Sequence, residues 1–474
     1  MKPDYSRIEP LLRRVWNILL IIALIYGTIL LLKPEVFRFN PQYLVETSIL
    51  KNNDFSADVK EIISPKLKLK AYLYEEHSNP IVSISFLFEN AGSAYDPEYK
   101  QGLGALLATM LMRGAGKYDM ETFNEILEQN AIEMGFENTK DDFSGALKFI
   151  KADTDLAVEM FNLALRKPTF NHTRLKQAKI DIKENYKYKL EQPETYAMLE
   201  AAKQLFGKHP YHTSRLGTID SAQRVTVTDL RTFQRKHLAQ DNLIIGISGD
   251  ITSIEAGKLV DKLFAGLPRH AKITPIPTTE VKMAVPEYHI SRDLGQNIGF
   301  FYAKGVARQD KQFYPLVLAI EILSGNSLTS RIQKTAREDK GLTYGVYGDL
   351  ANYDKADFIY GRFSTTPENF DLLKQIIRTE WVKLGERGVT EDELNQAKNY
   401  MIASEPLRYA DIDNISEVLV AMQKWNLGLD FLQKRNTYIR ETRLHEVNQT
   451  AKQYFTTDNL CFVTIGDSKK QEQQ

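Results

Sequence analysis

Hydrophobic and polar residues alternate along Ile81–Phe88, with Val82, Ile84, Phe86 and Phe88 set against Ser83 and Ser85. A period of two predicts a strand with one buried face. A turn-prone Asp96–Pro97 follows, and then Leu103, Leu106, Leu107, Met110 and Leu111 recur at helical spacing and make one apolar stripe. The same two periods run on through the chain. Lys66–Tyr74, Phe143–Ile150 and Leu243–Ser248 read as strands, and Met120–Glu133, Asp153–Leu165 and Arg174–Leu190 as helices. Residues 271–284 carry two prolines and alternate weakly, which predicts a linker.

The pattern then repeats. Asp241–Asp250 (DNLIIGISGD) and Asp458–Asp467 (DNLCFVTIGD) share Asp, Asn, Leu, Gly and Asp at equal spacing, 217 residues apart. Asn297–Gly305 parallels Val82–Gly92 as a strand ending in a turn. This predicts an α+β fold built from two duplicated units, each a mostly antiparallel sheet with helices on one face. The units are placed at 59–270 and 285–468, followed by a polar tail at 469–474.

Val15–Leu32 is eighteen residues long without a charge, and Arg13 and Arg14 precede it. It reads as one transmembrane helix, with residues 1–14 in the cytoplasm and 33–58 as a tether. The alternative is a secretory signal, against which no A-x-A site follows. The anchor reading predicts a single-pass protein of the cytoplasmic membrane with its bulk on the outer, periplasmic side. Lys+Arg and Asp+Glu both number 61, so charge gives no reason to expect a nucleic-acid partner. The one cysteine, Cys461, sits in an apolar run and cannot form an internal disulfide.

Opposite the apolar stripe of the 103–111 helix lie Ala105, Ala108 and Thr109. Histidines one turn apart with a glutamate between them could hold zinc on such a face. Alanine and threonine read by themselves as a small-residue packing face. The run G-S-x-x-D-P followed by G-L-x-x-L-L-x-x-M-L-x-x-G, and the later HPY-x-x-x-x-x-G-T beginning at His209, resemble the insulinase/pitrilysin peptidases. Their motif is the inverted H-x-x-E-H. The resemblance places Ala105 and Thr109 at the two histidine positions, Ala108 at the catalytic glutamate and Asn185, beside Glu184, at the third ligand. It implies a degenerate motif without zinc.

In the second half, Leu328–Lys340 reads as a helix capped by Ser327 and ended by Gly341, with a strand beginning at Leu342. The segment S-R-I-x-x-x-x-R-E-x-x-G-L-x-Y resembles the family's Arg/Tyr motif. The resemblance implies that Arg337 and Tyr344 face substrate bound at a zinc, where a guanidinium and a phenol could steady a developing oxyanion. A surface arginine and a half-buried strand tyrosine are the plainer reading. His209 and His212 lie in H-P-Y-H, where proline disfavours helix geometry, and His77, His172, His237, His270 and His289 are scattered. These read as loop or surface residues.

Family members enclose a chamber with four such units, in one chain or two. The resemblance therefore implies a non-zinc-binding subunit of a membrane-anchored heteromeric peptidase, not catalytic alone. It would bind peptide or unfolded protein beside a homologous subunit that carries the zinc. A structural or chaperone-like pseudopeptidase is the alternative, and a self-sufficient enzyme with an unrecognised metal site is a third reading.

Overall fold

The computed structural model describes residues 57–467, apart from 283–284, 328 and 410. These belong to one unit, Phe55–Gln474. In its first half β1 (Val59–Ile63), β2 (Lys70–Glu75) and β3 (Ile81–Phe88) lead into α1 (Leu103–Leu111) and α2 (Met120–Gln129). Then come β4 (Glu133–Asn138), β5 (Phe143–Ile150), α3 (Thr154–Arg166), α4 (His172–Glu191) and α5 (Pro193–Phe206). The half closes with α6 (Ile219–Gln223), α7 (Val227–His237), β6 (Leu243–Gly249) and α8 (Ser253–Phe264).

The second half starts with β7 (Glu287–Ser291), β8 (Asn297–Lys304), α9 (Phe313–Ser324), β9 (Val346–Tyr353) and β10 (Ala356–Thr365). It continues through α10 (Phe370–Arg387), α11 (Glu391–Ala403), α12 (Ile412–Lys424), α13 (Phe431–Glu441) and α14 (Leu444–Tyr454) to β11 (Cys461–Gly466).

The first sheet runs β1-β2-β6-β3-β5-β4 and the second β7-β11-β8-β10-β9. Setting β1 aside, the two orders superpose: β6 and β11, which carry the repeated DNL segments, occupy the same place. Each pairs in parallel with one neighbour, β2 or β7, and antiparallel with the other, β3 or β8. Phe86, Phe161 and Phe264 meet edge to face in the first core, and Trp381 packs against Phe301 and Phe455 in the second.

Helices do not cover only one face of each sheet, as the sequence suggests. The outer face of each is covered by a helix from the other half. From the first half, α5 lays Ala197, Ala201, Leu205 and Phe206 on Phe300, Tyr302, Phe358, Val463 and Ile465 of the second sheet. From the second half, α12 lies across β3 and β6 of the first sheet. There the hydroxyl of Ser416 bonds those of Ser83 (3.2 Å) and Ser85 (2.7 Å), and Ser248 donates to the Ile412 carbonyl at 2.6 Å. The approach is close because Gly246 has no side chain: a Cβ there would lie 2.2 Å from the Ser416 carbonyl oxygen.

A second joint ties two β-turns together. The backbone N–H of Asp354, in the β9–β10 turn, donates at 3.1 Å to the Asp141 carboxylate of the β4–β5 turn, and the Tyr211 hydroxyl bonds Asp141 and accepts from the Lys355 backbone. Lys424, at the end of α12, pairs with Asp142 and, at 2.9 Å, with Asp354. Burial pushes the Asp142 carboxyl up to about 7; Lys424 opposes this, while Asp354 and Asp141 reinforce it.

Residues 15–32, the expected anchor, lie outside the described residues, as do 1–14, 33–56 and 468–474. Among the described residues no helix is long and apolar enough to cross a membrane. The longest of their helices, α4, carries lysines and glutamates along its length. The expected transmembrane helix, and with it the location in the cytoplasmic membrane, is therefore withdrawn.

Two outcomes follow from the joints. Gly246→Val should destabilise the chain by roughly 1–3 kcal/mol, since the neighbouring group is backbone and cannot turn away. Gly135→Ser, where a Cβ meets nothing within 4 Å, should be neutral in the same denaturant titration. For Asp142 the folded-state pKa exceeds the unfolded one, so its contribution is complete below about pH 4 and is lost as pH rises through about 7. Unfolding midpoints should accordingly fall between about pH 4 and 7, and Asp142→Asn should flatten that fall by on the order of 1–2 kcal/mol.

Candidate functional site

The α1 helix starts where the Asp96 carboxylate accepts the backbone N–H groups of Gly102 (2.8 Å) and Gly104 (3.0 Å). A carboxylate at a helix N-terminus satisfies free donors and complements the helix dipole. Gly102 has φ +91° and sits against the Leu216 carbonyl, so the turn requires glycine. Every α1 residue except Thr109 is buried. Ala105 and Ala108 thus lie inside as the packing face, and Ala108 belongs to the core of the first sheet. The Thr109 hydroxyl donates to the Ala105 carbonyl one turn back, at 3.0 Å.

Helix α4 packs against α1 and carries Asn185, which is exposed. Glu184 beside it pairs along its own helix with Lys187 at 3.0 Å. These side chains do not suit zinc: alanine offers no donor atom, and the threonine oxygen is spent on the helix backbone. Among the described residues no three His, Cys, Asp or Glu side chains are grouped to hold a metal ion.

His209 lies in a loop, as H-P-Y-H suggests, but not at the surface. It is buried; its Nδ1 accepts from the Tyr211 backbone at 3.2 Å, and its Nε2 meets the Pro277 carbonyl at 2.9 Å. Burial lowers its pKa; Nε2 pins the 271–284 segment at Pro277, and Nδ1 is taken up within its own turn. His212 bonds the His209 carbonyl. His237 is stacked on Phe233 at 3.9 Å, its pKa also lowered by burial.

The Arg337–Tyr344 segment differs from its predicted form. Arg337 lies in a π-type turn, Gln333–Glu338, with Asp339 N–H bonded to the Lys334 carbonyl and Leu342 N–H to the Ala336 carbonyl. Tyr344 is not on a strand: it occupies the bend before β9 and is 84% exposed. The residues around it are tied down. The Thr343 hydroxyl donates to the Ser364 carbonyl at 2.7 Å and accepts from the Gly345 backbone. Ile332 and Ala336 are buried, which turns Arg337 outward.

What the sequence reading missed is Arg331. Its guanidinium forks onto Glu393 at 2.7 and 2.8 Å and donates to the Gly388 carbonyl, clamping the turn to the start of α11. The sequence signal is T-E-D-E at Thr390–Glu393, a capping box whose glutamate also takes the arginine.

Beside β4, the edge strand of the first sheet, a cleft of about 470 Å³ opens between the sheet and α12. Small residues line it (Ser85, Gly135, Ser144, Gly145 and Ala146), and Glu137 and Glu417 stand at its wall.

Two family models match the chain. Residues 71–218 match "Insulinase (Peptidase family M16)" and residues 224–401 match "Peptidase M16 inactive domain". The non-peptidase homolog YmxG of Helicobacter pylori is 26% identical over 404 residues, spanning 84% of this chain and 92% of that relative. A protein of Bacillus subtilis, named as an uncharacterized zinc protease YmxG, is 23% identical over 77% of this chain and 89% of its own length. A crystal structure of a peptidase M16 inactive domain from Pseudomonas fluorescens superposes with a TM-score of 0.81 at 24% identity, covering 87% of this chain and 99% of that one.

Metal analysis tests the site. The purified chain should hold no stoichiometric zinc, and Ala105→His with Thr109→His should raise zinc retention on dialysis, since the two imidazoles would stand one turn apart. One tightly held zinc in the unmodified chain would contradict this account.

Proposed function

Because the chain belongs to the insulinase (M16) peptidase family while Ala105, Ala108 and Thr109 replace the zinc motif on α1, we propose that it is a non-hydrolytic subunit that works with a zinc-bearing homologue. In this reading the partner supplies the metal and the water-activating carboxylate. This chain supplies part of the chamber wall, a surface for peptide, and the pair Arg337 and Tyr344.

The observation that carries the reading is the contrast between the two motifs. On α1 the positions are filled with small buried side chains, whereas Arg337 and Tyr344 project from a segment clamped on both sides. An exposed guanidinium and phenol on such a segment can donate to a carbonyl oxygen as it gains charge. Peptide would lie on β4, whose outer edge has no strand partner among the described residues and offers free backbone groups.

Tyr344→Phe removes only the hydroxyl, so cleavage by the reconstituted pair should fall about 100- to 1,000-fold. Arg337→Lys keeps charge and loses the fork, and should also be harmful. Neither opens a cavity, so co-purification and melting temperature should hold. If both variants cleave at the normal rate, or no zinc-bearing homologue ever confers cleavage, the chain is a scaffold and this reading fails.

A further inference from the structure

A second cavity lies in the other half, away from α1. It encloses about 360 Å³ between α9, β9, α12 and α13, a size that accepts small organic molecules. Its wall is aromatic and aliphatic: Phe313, Tyr314, Val317, Leu350, Met422 and Phe431. Two cations line it, Arg308 and Arg435. The Arg308 guanidinium lies 3.9 Å from the Phe313 ring centre, 5.4 Å from that of Phe431 and 5.6 Å from that of Tyr314. Three rings hold the plane of the fork and take it partly out of water.

The other cation of the cavity is spent. Arg435 pairs with Glu405 at 2.7 Å, and Glu405 also accepts the Tyr409 hydroxyl. Asp349, at the rim, is exposed and accepts its neighbour's backbone N–H at 2.7 Å. Among the described residues no carboxylate pairs with Arg308. The Tyr314 hydroxyl, near enough to feel the Arg308 charge, is buried and makes no hydrogen bond of good geometry. The Arg308 fork and the Tyr314 phenol thus stand close together in a largely apolar chamber, with no carboxylate of the described residues paired to the arginine.

We infer that this cavity binds a carboxylate on an apolar body, with the carboxylate on the Arg308 fork and the Tyr314 hydroxyl and the body among Val317, Leu350 and Met422. A free aliphatic or aromatic acid and the C-terminal residue of an apolar peptide present the same chemistry. The geometry selects the end group: an amide of the same shape would leave the guanidinium's charge unanswered.

The test uses the full chain with carbon-13 methyl-labelled methionine, whose Met401 and Met422 methyls line the cavity. Titration with 4-phenylbutyrate should shift both signals saturably, and 4-phenylbutyramide should bind at least about tenfold more weakly. Arg308→Gln should bring the acid down to the level of the amide. Val317→Trp, which fills the cavity without touching the arginine, should abolish both titrations while leaving the melting temperature near its original value. A hexapeptide with a free C-terminal phenylalanine, run beside its amide, distinguishes the sources: the tighter of peptide and phenylbutyrate identifies the class. Equal binding of acid and amide, an Arg308→Gln variant that binds the acid unchanged, or no saturable shift with either acid would overturn the inference.

Discussion

The contact between α12 and the bare backbone at Gly246 governs the arrangement of the whole described unit. A sheet with helices on one face leaves its other face to water, and each half of this chain has that problem. The solution is reciprocal, since each half lends a helix to the other. On the first sheet the fit depends on small residues, so that Ser416 can sit among Ser83, Ser85 and Gly246 and satisfy every hydroxyl it meets. On the second it depends on bulk, with α5 packed on phenylalanine and tyrosine rings. The paired turns around Asp141, Asp142 and Asp354 then fix the angle between the sheets, and with it the direction in which β4 and the Tyr344 bend are presented.

This arrangement sets the α1 positions and the Arg337–Tyr344 segment in different surroundings. The α1 positions lie against the body of the protein, and once they carry no metal they can be absorbed into packing, as Ala108 has been. The segment from Arg331 to Gly345 lies outside that body. It is held by an ion pair, two buried aliphatic positions and a threonine, none of which needs Arg337 or Tyr344 for its own sake. Their exposure is a property of the clamp around them.

Much of this was legible in local periodicity. The alternation at Ile81–Phe88 gives β3 to the residue, the stripe from Leu103 to Leu111 gives α1, and the DNL repeat marks β6 and β11 as equivalents. The missing zinc side chains could be read directly. Less legible were elements whose partners are distant in sequence. Pro193–Phe206 packs its apolar side on strands a hundred or more residues later, so no local feature distinguishes it from a surface helix. The short β4 strand, Glu-Met-Gly-Phe-Glu-Asn, carries too little alternation to declare itself, and only its pairing with β5 settles it. Tyr344 was placed on a strand because LTYGVYG has strand-forming residues, yet the Thr343 hydroxyl competes for the backbone and delays the ladder until Val346.

The helix exchange also sets an order of events during synthesis. The last strand of the first sheet ends at Gly249, and α12 begins only at Ile412. At ribosomal speeds that sheet waits on the order of 10–30 s for its cover. Its two central strands pass the interval showing serine and glycine, which water solvates readily and which offer little to a chaperone or to another nascent chain. The second sheet shows phenylalanine and tyrosine on the corresponding face, but its cover, α5, has left the ribosome before the first of its strands is made. The sheet that must wait is polar along its central strands and leaves Val59 and Tyr72 beside them for α12 to cover, whereas the sheet that need not wait is aromatic across that face, so the difference in chemistry at the two joints' centres follows the direction in which the chain is written.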